Sequence, residues 1–313
     1  MSENALLYRI LKQYYIEGIS QKKIAELEGV STATVSRAIK EGIKRGYVRV
    51  SLDLPENSVP NLEEAIKAHY GLNMVRVLDS EVENQEIIMH DVASAFSSYF
   101  TSILKPGDII GLSWGRTLSA VADFLKPKKI PGLTFVSMNG GVAEDVSKTG
   151  VGQVVRAFAK PFQASAYSLL LPIYVSSEKV VNELKKDGNV KNIFDMIEKA
   201  NIAVFSVGGL IHTSLLFKSG YLSEESCKKM REEGYVGDIC SRFFKRNGSQ
   251  VVGDLDMRSV GISLEELKKK PKKICIVADK EKAEALSGAL NGGYVDDLFV
   301  DKKTALELLK LQM

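Results

Sequence analysis

Cysteine and histidine are scarce in this 313-residue chain, with three of each. Cys227, Cys240 and Cys275 are odd in number and show no C-x-x-C spacing. That excludes a disulfide framework or a cysteine-ligated zinc, and reduced, buried thiols are expected instead. His69, His90 and His212 stand in no motif with a partnering acid, and no nucleophile elbow or Walker loop occurs. No catalytic residue, metal ligand or cofactor is therefore assigned. Long apolar runs are also missing. None approaches the ~18 residues of a membrane span, the greasiest stretches being broken by Pro172 or by charge. Acidic Glu3 stands where a secretory signal would be basic, so a cytoplasmic protein with no membrane partner is expected. No repeat or low-complexity tract appears. With 45% hydrophobic and 26% charged residues, the composition is that of globular domains, and the length suits one to three of them.

What charge there is lies at one end. The formal net charge is +3. Residues 1–53 hold Arg9, Lys12, Lys22, Lys23, Arg37, Lys40, Lys44, Arg45 and Arg49 against Glu3, Glu17, Glu26, Glu28, Glu41 and Asp53. That excess is the whole excess of the chain, so a basic head precedes an electrically balanced body.

The head reads as helices in quick succession. Leu6, Leu7, Ile10, Leu11 and Tyr14 recur at helical spacing up to Gly18. Ser20 caps a second helix with Ile24, Ala25 and Leu27 on its apolar side, and Gly29 supplies a turn. Ser31 caps a third, with Val35, Ile39 and Ile43 as its buried stripe and Gly46 at its end. Tyr47 to Leu52 then alternates like a strand, which makes the head winged-helix-like. Two short helices joined by a tight turn hold the second in a DNA major groove. Its outer face here would present Thr32, Ala33, Thr34, Ser36, Arg37 and Lys40. Arg37 suits a guanine edge, Thr32 and Ala33 a thymine methyl, and Gln21, Thr34 and Ser36 phosphate oxygens. Lys22 and Lys40 add attraction to any phosphate. Double-stranded operator DNA is the expected partner. A charge this modest suggests two heads acting together on a two-fold operator.

Residues 1–54 form the expected DNA-binding domain, and Pro55–Pro60 a linker of turn formers. From 61 to 313 strands and helices alternate, beginning with a helix capped by Asn61 with Glu64 at the capping-box position. Strands are expected near 74–78, 108–113, 133–138, 166–171, 201–207 and 273–278. Helices are expected at 85–103, 116–125, 152–160, 190–200, 280–290 and 302–311. This order predicts an α/β, Rossmann-like domain on a mostly parallel sheet. Hairpin signals around Asn247-Gly248 interrupt it. Gly111-Leu-Ser-Trp-Gly-Arg-Thr117 follows a strand and opens a helix. Ser113, Gly115, Arg116 and Thr117 could there hold a phosphate on free backbone N–H groups. The turn Met138-Asn-Gly-Gly141 follows the next strand and belongs to the same sheet edge. Asp238 could accept hydrogen bonds from sugar hydroxyls, or simply form a turn.

Residues 20–45, Gly111–Thr117, Asn139-Gly140-Gly141, Gly237-Asp-Ile-Cys-Ser-Arg-Phe-Phe244 and Ala289-Leu-Asn-Gly-Gly-Tyr294 together resemble the SorC family of transcriptional regulators along essentially the whole chain. The resemblance implies a body related to sugar-phosphate isomerases and glucosamine-6-phosphate deaminase, a homo-oligomer built as a dimer of dimers, and a phosphorylated sugar as effector. It implies that Gly111, Ser113, Gly115, Arg116, Thr117, Asn139, Gly140, Gly141 and Asp238 line the effector pocket, with Lys282 meeting the phosphate. The chain reads Ala278-Asp-Lys-Glu-Lys282 where relatives commonly carry Ala-Gly-Gly before that lysine. Asn139 stands where a lysine is possible, so an effector would bind there without forming an imine. A carbohydrate-operon regulator is thus expected, with a sugar-phosphate isomerase or deaminase bearing an accessory head as the alternative.

Overall fold

The computed structural model describes residues 3–48, 60–80, 82–142, 150–212 and 214–311. The chain divides into two compact units, Met1–Pro55 and Glu56–Met313.

In the first unit three helices, α1 (Glu3–Tyr15), α2 (Gln21–Glu28) and α3 (Thr32–Lys44), enclose Ile10, Ile24, Ala25, Val35 and Ile39. The serine caps are formed: Ser20 Oγ accepts from the Lys23 amide and Ser31 Oγ from the Thr34 amide. Gly29 takes the left-handed conformation at φ +67° that lets the chain turn between α2 and α3. Two expected core residues face outward, Leu27 at 57% and Ile43 at 47% exposure. The stripe of α3 turns inward one residue earlier instead. At Gly42 an added Cβ would lie 2.5 Å from the Leu11 side chain, so the absent side chain lets α1 and α3 close together. Arg9 clamps α1 to α2 through a two-pronged pair with Glu28, which also accepts from Gln13 Nε2 at 2.9 Å. Residues 49–52 of the expected strand and residues 55–59 of the expected linker lie outside the described residues.

The second unit opens on α4 (Pro60–Tyr70). Asn61 lies within this helix rather than capping it, because proline already suits a first helical position. Glu63, not Glu64, is the engaged acid, accepting the Val77 amide at 2.9 Å. Seven parallel strands follow in one sheet, interleaved with a smaller three-stranded one. The strands are β1 (Met74–Leu78), β2 (Ile109–Leu112), β3 (Thr134–Ser137), β4 (Ser165–Tyr167), β5 (Ile202–Phe205), β6 (Gly208–Gly209), β7 (Tyr235–Ile239), β8 (Arg242–Lys245), β9 (Lys272–Val277) and β10 (Asp297–Asp301). The large sheet has the order β1-β10-β9-β5-β2-β3-β4, and the small antiparallel sheet is β6-β7-β8. From β2 the chain moves outward through β3 and β4, then returns to β2's other side and proceeds through β5, β9 and β10. The crevice between β2 and β5 is therefore a topological switch point, where open α/β sheets leave room for a ligand.

Side chains along each strand alternate between two apolar layers. Ala203, Phe205, Cys275 and Val277 face one, while Ile202, Val204, Ile274 and Ile276 face the other. The second layer is filled mainly from α5 (Gln85–Ile103), α6 (Arg116–Phe124) and α7 (Val151–Phe162). At its centre the Phe100 ring meets those of Phe96, Phe135, Phe158 and Phe162 at centroid distances of 5.3–6.4 Å.

β10 was not foreseen because Asp297 and Asp301 bracket its Leu-Phe-Val. Both acids are buried with partners. Asp297 accepts from Tyr99 Oη at 2.6 Å and pairs with Lys272, and Asp301 caps the helix Lys302–Lys310. Of the strand expected at 166–171 only the exposed end Ser165–Tyr167 forms. Asn247-Gly248 does turn the chain, but after β8. The turn joining β7 to β8 is Cys240-Ser241. Among the described residues no helix is long and apolar enough to cross a membrane.

Phe100→Ala is expected to lower the unfolding free energy by roughly 3–5 kcal/mol, the range for a truncated core phenylalanine. Equilibrium denaturation by urea checks this.

Candidate functional site

On the first unit the foreseen DNA-facing residues share the outer side of α3. Thr32, Ala33, Arg37 and Lys40 are exposed, and Thr34 and Ser36 half-buried; on α2, Lys22 is exposed and Gln21 half-buried. Thr34 Oγ1 lies 2.9 Å from the capping Ser31 Oγ, and Arg37 Nε donates to Ala33 O at 3.4 Å. The last bond lays the guanidinium along the helix surface over its first turn, the part of a recognition helix that meets base edges.

In the second unit a cavity of about 510 Å³ opens where β2, β3 and β5 end. Ser113 follows β2, Asn139 follows β3 and Ser206 follows β5, and these three strands are neighbours in the sheet. Ser113, Gly115, Arg116, Thr117, Asn139, Asp238 and Lys282 all line the cavity. Gly115 opens α6 at φ +120°, a value that excludes a side chain, and no side chain caps the helix. The first-turn amides and their partial positive charge are left facing the cavity with exposed Arg116.

Gly111, Gly140 and Gly141 are not among the lining residues. A Cβ at Gly111 would lie 2.8 Å from the Met138 side chain, and one at Gly140 would lie 2.5 Å from Leu171 O. The Gly140 amide donates to Val260 O and the Gly141 amide to Leu171 O, each at 2.9 Å, so these donors are spent on packing. The two turns are nevertheless joined, since Trp114 Nε1 donates to Gly140 O at 2.8 Å.

The far wall is the β7–β8 turn. Cys240 and Ser241 both adopt left-handed conformations, φ 50° and 66°. A two-residue hairpin turn demands this, at roughly 1–3 kcal/mol for each non-glycine residue. Five contacts hold the strain. Asp238 Oδ2 accepts the Ser241 amide at 3.0 Å, and Tyr174 Oη donates to Ser241 O at 3.0 Å. The buried Arg242 guanidinium pairs with Asp256 at 3.2 Å and donates to Ile262 O and Ser259 O. Gly208 lets the Asp238 carboxyl seat against its backbone, where any Cβ would overlap Oδ1.

Burial pushes the Asp238 carboxyl up to about 6, against the opposing pull of the Ser241 amide and of Lys282. Burial likewise lowers the Lys282 ammonium, with Asp279 and Asp238 restoring part of its charge and Arg116 opposing it. Asp238, Asp279 and Glu86 therefore share one cavity with Arg116 and Lys282. Three uncharged groups in the same cavity, Ser113 Oγ, Asn139 Oδ1 and Ser206 Oγ, are buried with no partner among the described residues.

Sequence reasoning missed the wall supplied by the start of α5, with Gln85, Met89 and His90, and the stretch from Ser206 to Gly209. His90 stands in no motif with a partnering acid, and its ring meets Phe124 edge-on at 5.4 Å. Only the packing of α5 beside α6 brings it to the cavity. Ser206-Val-Gly-Gly209 carried a usable signal, a glycine pair directly after a buried strand.

A three-helix head with a helix-turn-helix surface, followed in the chain by an α/β unit with a polar cavity at its switch point, defines a ligand-responsive transcription regulator. Residues 56–310 match the family model described as "Putative sugar-binding domain". The chain is 33% identical to the deoxyribonucleoside regulator of Bacillus subtilis, over 95% of this chain and 94% of that protein. It is 27% identical to the sorbitol operon regulator of Klebsiella pneumoniae, over 97% and 98% respectively. The solved full-length sorbitol operon regulator SorC of that organism superposes with a TM-score of 0.74 at 26% identity, covering 98% of this chain and all of that one. The chain belongs to the SorC family of sugar-binding transcriptional regulators.

Because the native state holds the Asp238 proton more tightly than an unfolded aspartate does, this group's contribution to stability falls as pH rises from about 4 through 6. Asp238→Asn should therefore raise the melting temperature at pH 7.5 by a few degrees, a gain that shrinks toward zero at pH 4. Thermal melts at the two pH values check the sign.

Proposed function

We propose that this regulator binds operator DNA through the outer face of α3 and that a phosphorylated sugar in the second unit's cavity controls that binding. The observation that carries the reading is the coincidence in one cavity of an uncapped helix start, Arg116 and Lys282 with an array of hydroxyl-binding groups. Amides and cations suit a phosphate, while Asp238, Asn139 and the serines suit the sugar that carries it. The names of the relatives support the same reading, since the Bacillus protein is called a deoxyribonucleoside regulator and the Klebsiella protein a sorbitol operon regulator.

The mechanism is linkage. An effector shifts DNA affinity only by as much as it prefers one state of the protein over another, and operator DNA must shift effector affinity by the same factor, typically about 1–3 kcal/mol. A homo-oligomer, for which we propose a dimer of dimers, doubles the contacts that a head of net charge +3 makes with DNA. The body fold, which we relate to that of sugar-phosphate isomerases, would serve for binding rather than turnover and needs no cofactor. We propose a winged-helix-like head, and place the protein in the cytoplasm with its DNA.

Arg37→Ala should weaken binding to an operator recovered by in-vitro selection by about 1–3 kcal/mol and relax the preference at one base position. Gel shifts on the selected site and its single-base variants measure both; unchanged affinity and selectivity would remove Arg37 from the readout. Sugar phosphates should change operator affinity about 5- to 150-fold, the range of such couplings, and the unphosphorylated sugars much less. Fluorescence anisotropy with both forms decides it, equal responses counting against the phosphate site.

A further inference from the structure

The cavity is not uniformly cationic. Its lining cations are Arg116 and Lys282, and Arg116 is exposed. The groups at the strand ends are of the opposite kind. Ser113 is 6% exposed and Asn139 3% exposed, and both are uncharged. One end of the Asn139 amide is used, Nδ2 donating to Ser241 Oγ at 3.4 Å, and the other, Oδ1, has no partner. Ser113 Oγ and Ser206 Oγ are also without partners among the described residues. Asp238, across from them on β7, offers a carboxylate with the Ser241 amide on Oδ2.

An orphaned buried polar atom costs the desolvation that no hydrogen bond returns. Natural interiors carry few such atoms, yet here three gather at the ends of adjacent strands β5, β2 and β3. What they require is fixed by their chemistry. An amide oxygen and a carboxylate accept and repel anions, so a phosphate does not belong beside Asn139 and Asp238. Serine hydroxyls both donate and accept. An alcohol hydroxyl, which also does both, satisfies all of them, whereas a methylene in its place satisfies none.

We propose that the cavity selects a phosphorylated effector that retains hydroxyl groups at the end away from its phosphate, and discriminates against the deoxy counterpart through Ser113, Asn139 and Ser206. This inference rests on the phosphorylated-sugar reading above and adds which sugar phosphates qualify. A site built to hydrogen-bond a hydroxyl rejects the analogue lacking it far more strongly than an apolar pocket rejects a missing methyl, because its own buried groups are left unpaired.

The test is calorimetric titration of the full-length protein. Ribose 5-phosphate, fructose 6-phosphate and glucose 6-phosphate are compared first, then the tightest binder against its monodeoxy analogues at carbons away from the phosphate. At least one analogue should bind about tenfold or more weakly; analogues all within twofold of the parent overturn the proposal while leaving the phosphate site standing. If inorganic phosphate binds but none of the three sugar phosphates binds more tightly, this proposal alone fails. If neither phosphate nor any sugar phosphate binds, the effector reading fails and takes this inference with it. Ser206→Ala supplies a readout that a structural role would not produce. Deleting an unpartnered hydroxyl should leave the melting temperature of the unliganded protein unchanged or higher, yet reduce the parent-to-deoxy affinity ratio several-fold. A lowered melting temperature with the ratio intact would assign Ser206 to the fold instead.

Discussion

The second unit depends on one buried cation. The Arg242 guanidinium pairs with Asp256 and donates to Ser259 O, Gly261 O and Ile262 O, so a segment with little regular structure converges on a single side chain. A guanidinium taken out of water needs a charge partner and acceptors for its remaining N–H groups, and arginine's planar fork offers five donors in fixed directions. The consequences run both ways along the chain. Backward, Arg242 anchors the strained Cys240-Ser241 turn and with it Asp238. Forward, it fixes residues 259–262, which pair with 138–140: the Gly140 amide donates to Val260 O, the Ile262 amide donates to Met138 O, and Asn139 bridges Gly261. Two walls of the cavity are thereby referred to one ion.

The cavity itself has two characters. Arg116, Lys282 and the uncapped start of α6 make a region that attracts anions, while the ends of β5, β2 and β3 carry uncharged groups waiting for hydrogen bonds. A ligand with both characters in one molecule would complete the cavity, whereas a simple anion or a simple polyol would satisfy half of it. The raised carboxyl of Asp238 belongs to the same cavity: it is half-buried and desolvated, with the Ser241 amide on Oδ2.

Much of this was legible from residue patterns, and for definable reasons. Ser20 and Ser31 were read as caps because a hydroxyl ahead of a helix has a local partner three residues on, and both bonds form. The strand–turn–helix at 109–124 was readable because a buried strand, a flexible glycine and an amphipathic helix are local signatures. The failures are equally specific. Ile43 was placed in the core by spacing alone, but the close approach of Leu11 to Gly42 rotates the buried face. Gly140 and Gly141 were read as ligand-facing, but their amides are engaged by Val260 and Leu171, residues distant in the chain. β10 was passed over because acids at a strand's ends look like surface, and no local rule reveals that Tyr99 and Lys272 will pair with Asp297.

By itself the sequence determined the division into a basic head and a neutral body, the helical punctuation of the head, the alternation of strands and helices, and the residues of the first turn around Gly115. These rest on periodicity, capping and charge, each of which acts within a few residues. Only the tertiary structure decided that the chain reverses direction between β2 and β5, and that α5 brings Gln85 and His90 to the same cavity as Asp238. It also decided that Ser113, Asn139 and Ser206 are left without partners. Those facts depend on which strands are neighbours, and strand neighbourhood is settled by the burial of the whole sheet rather than by any one segment.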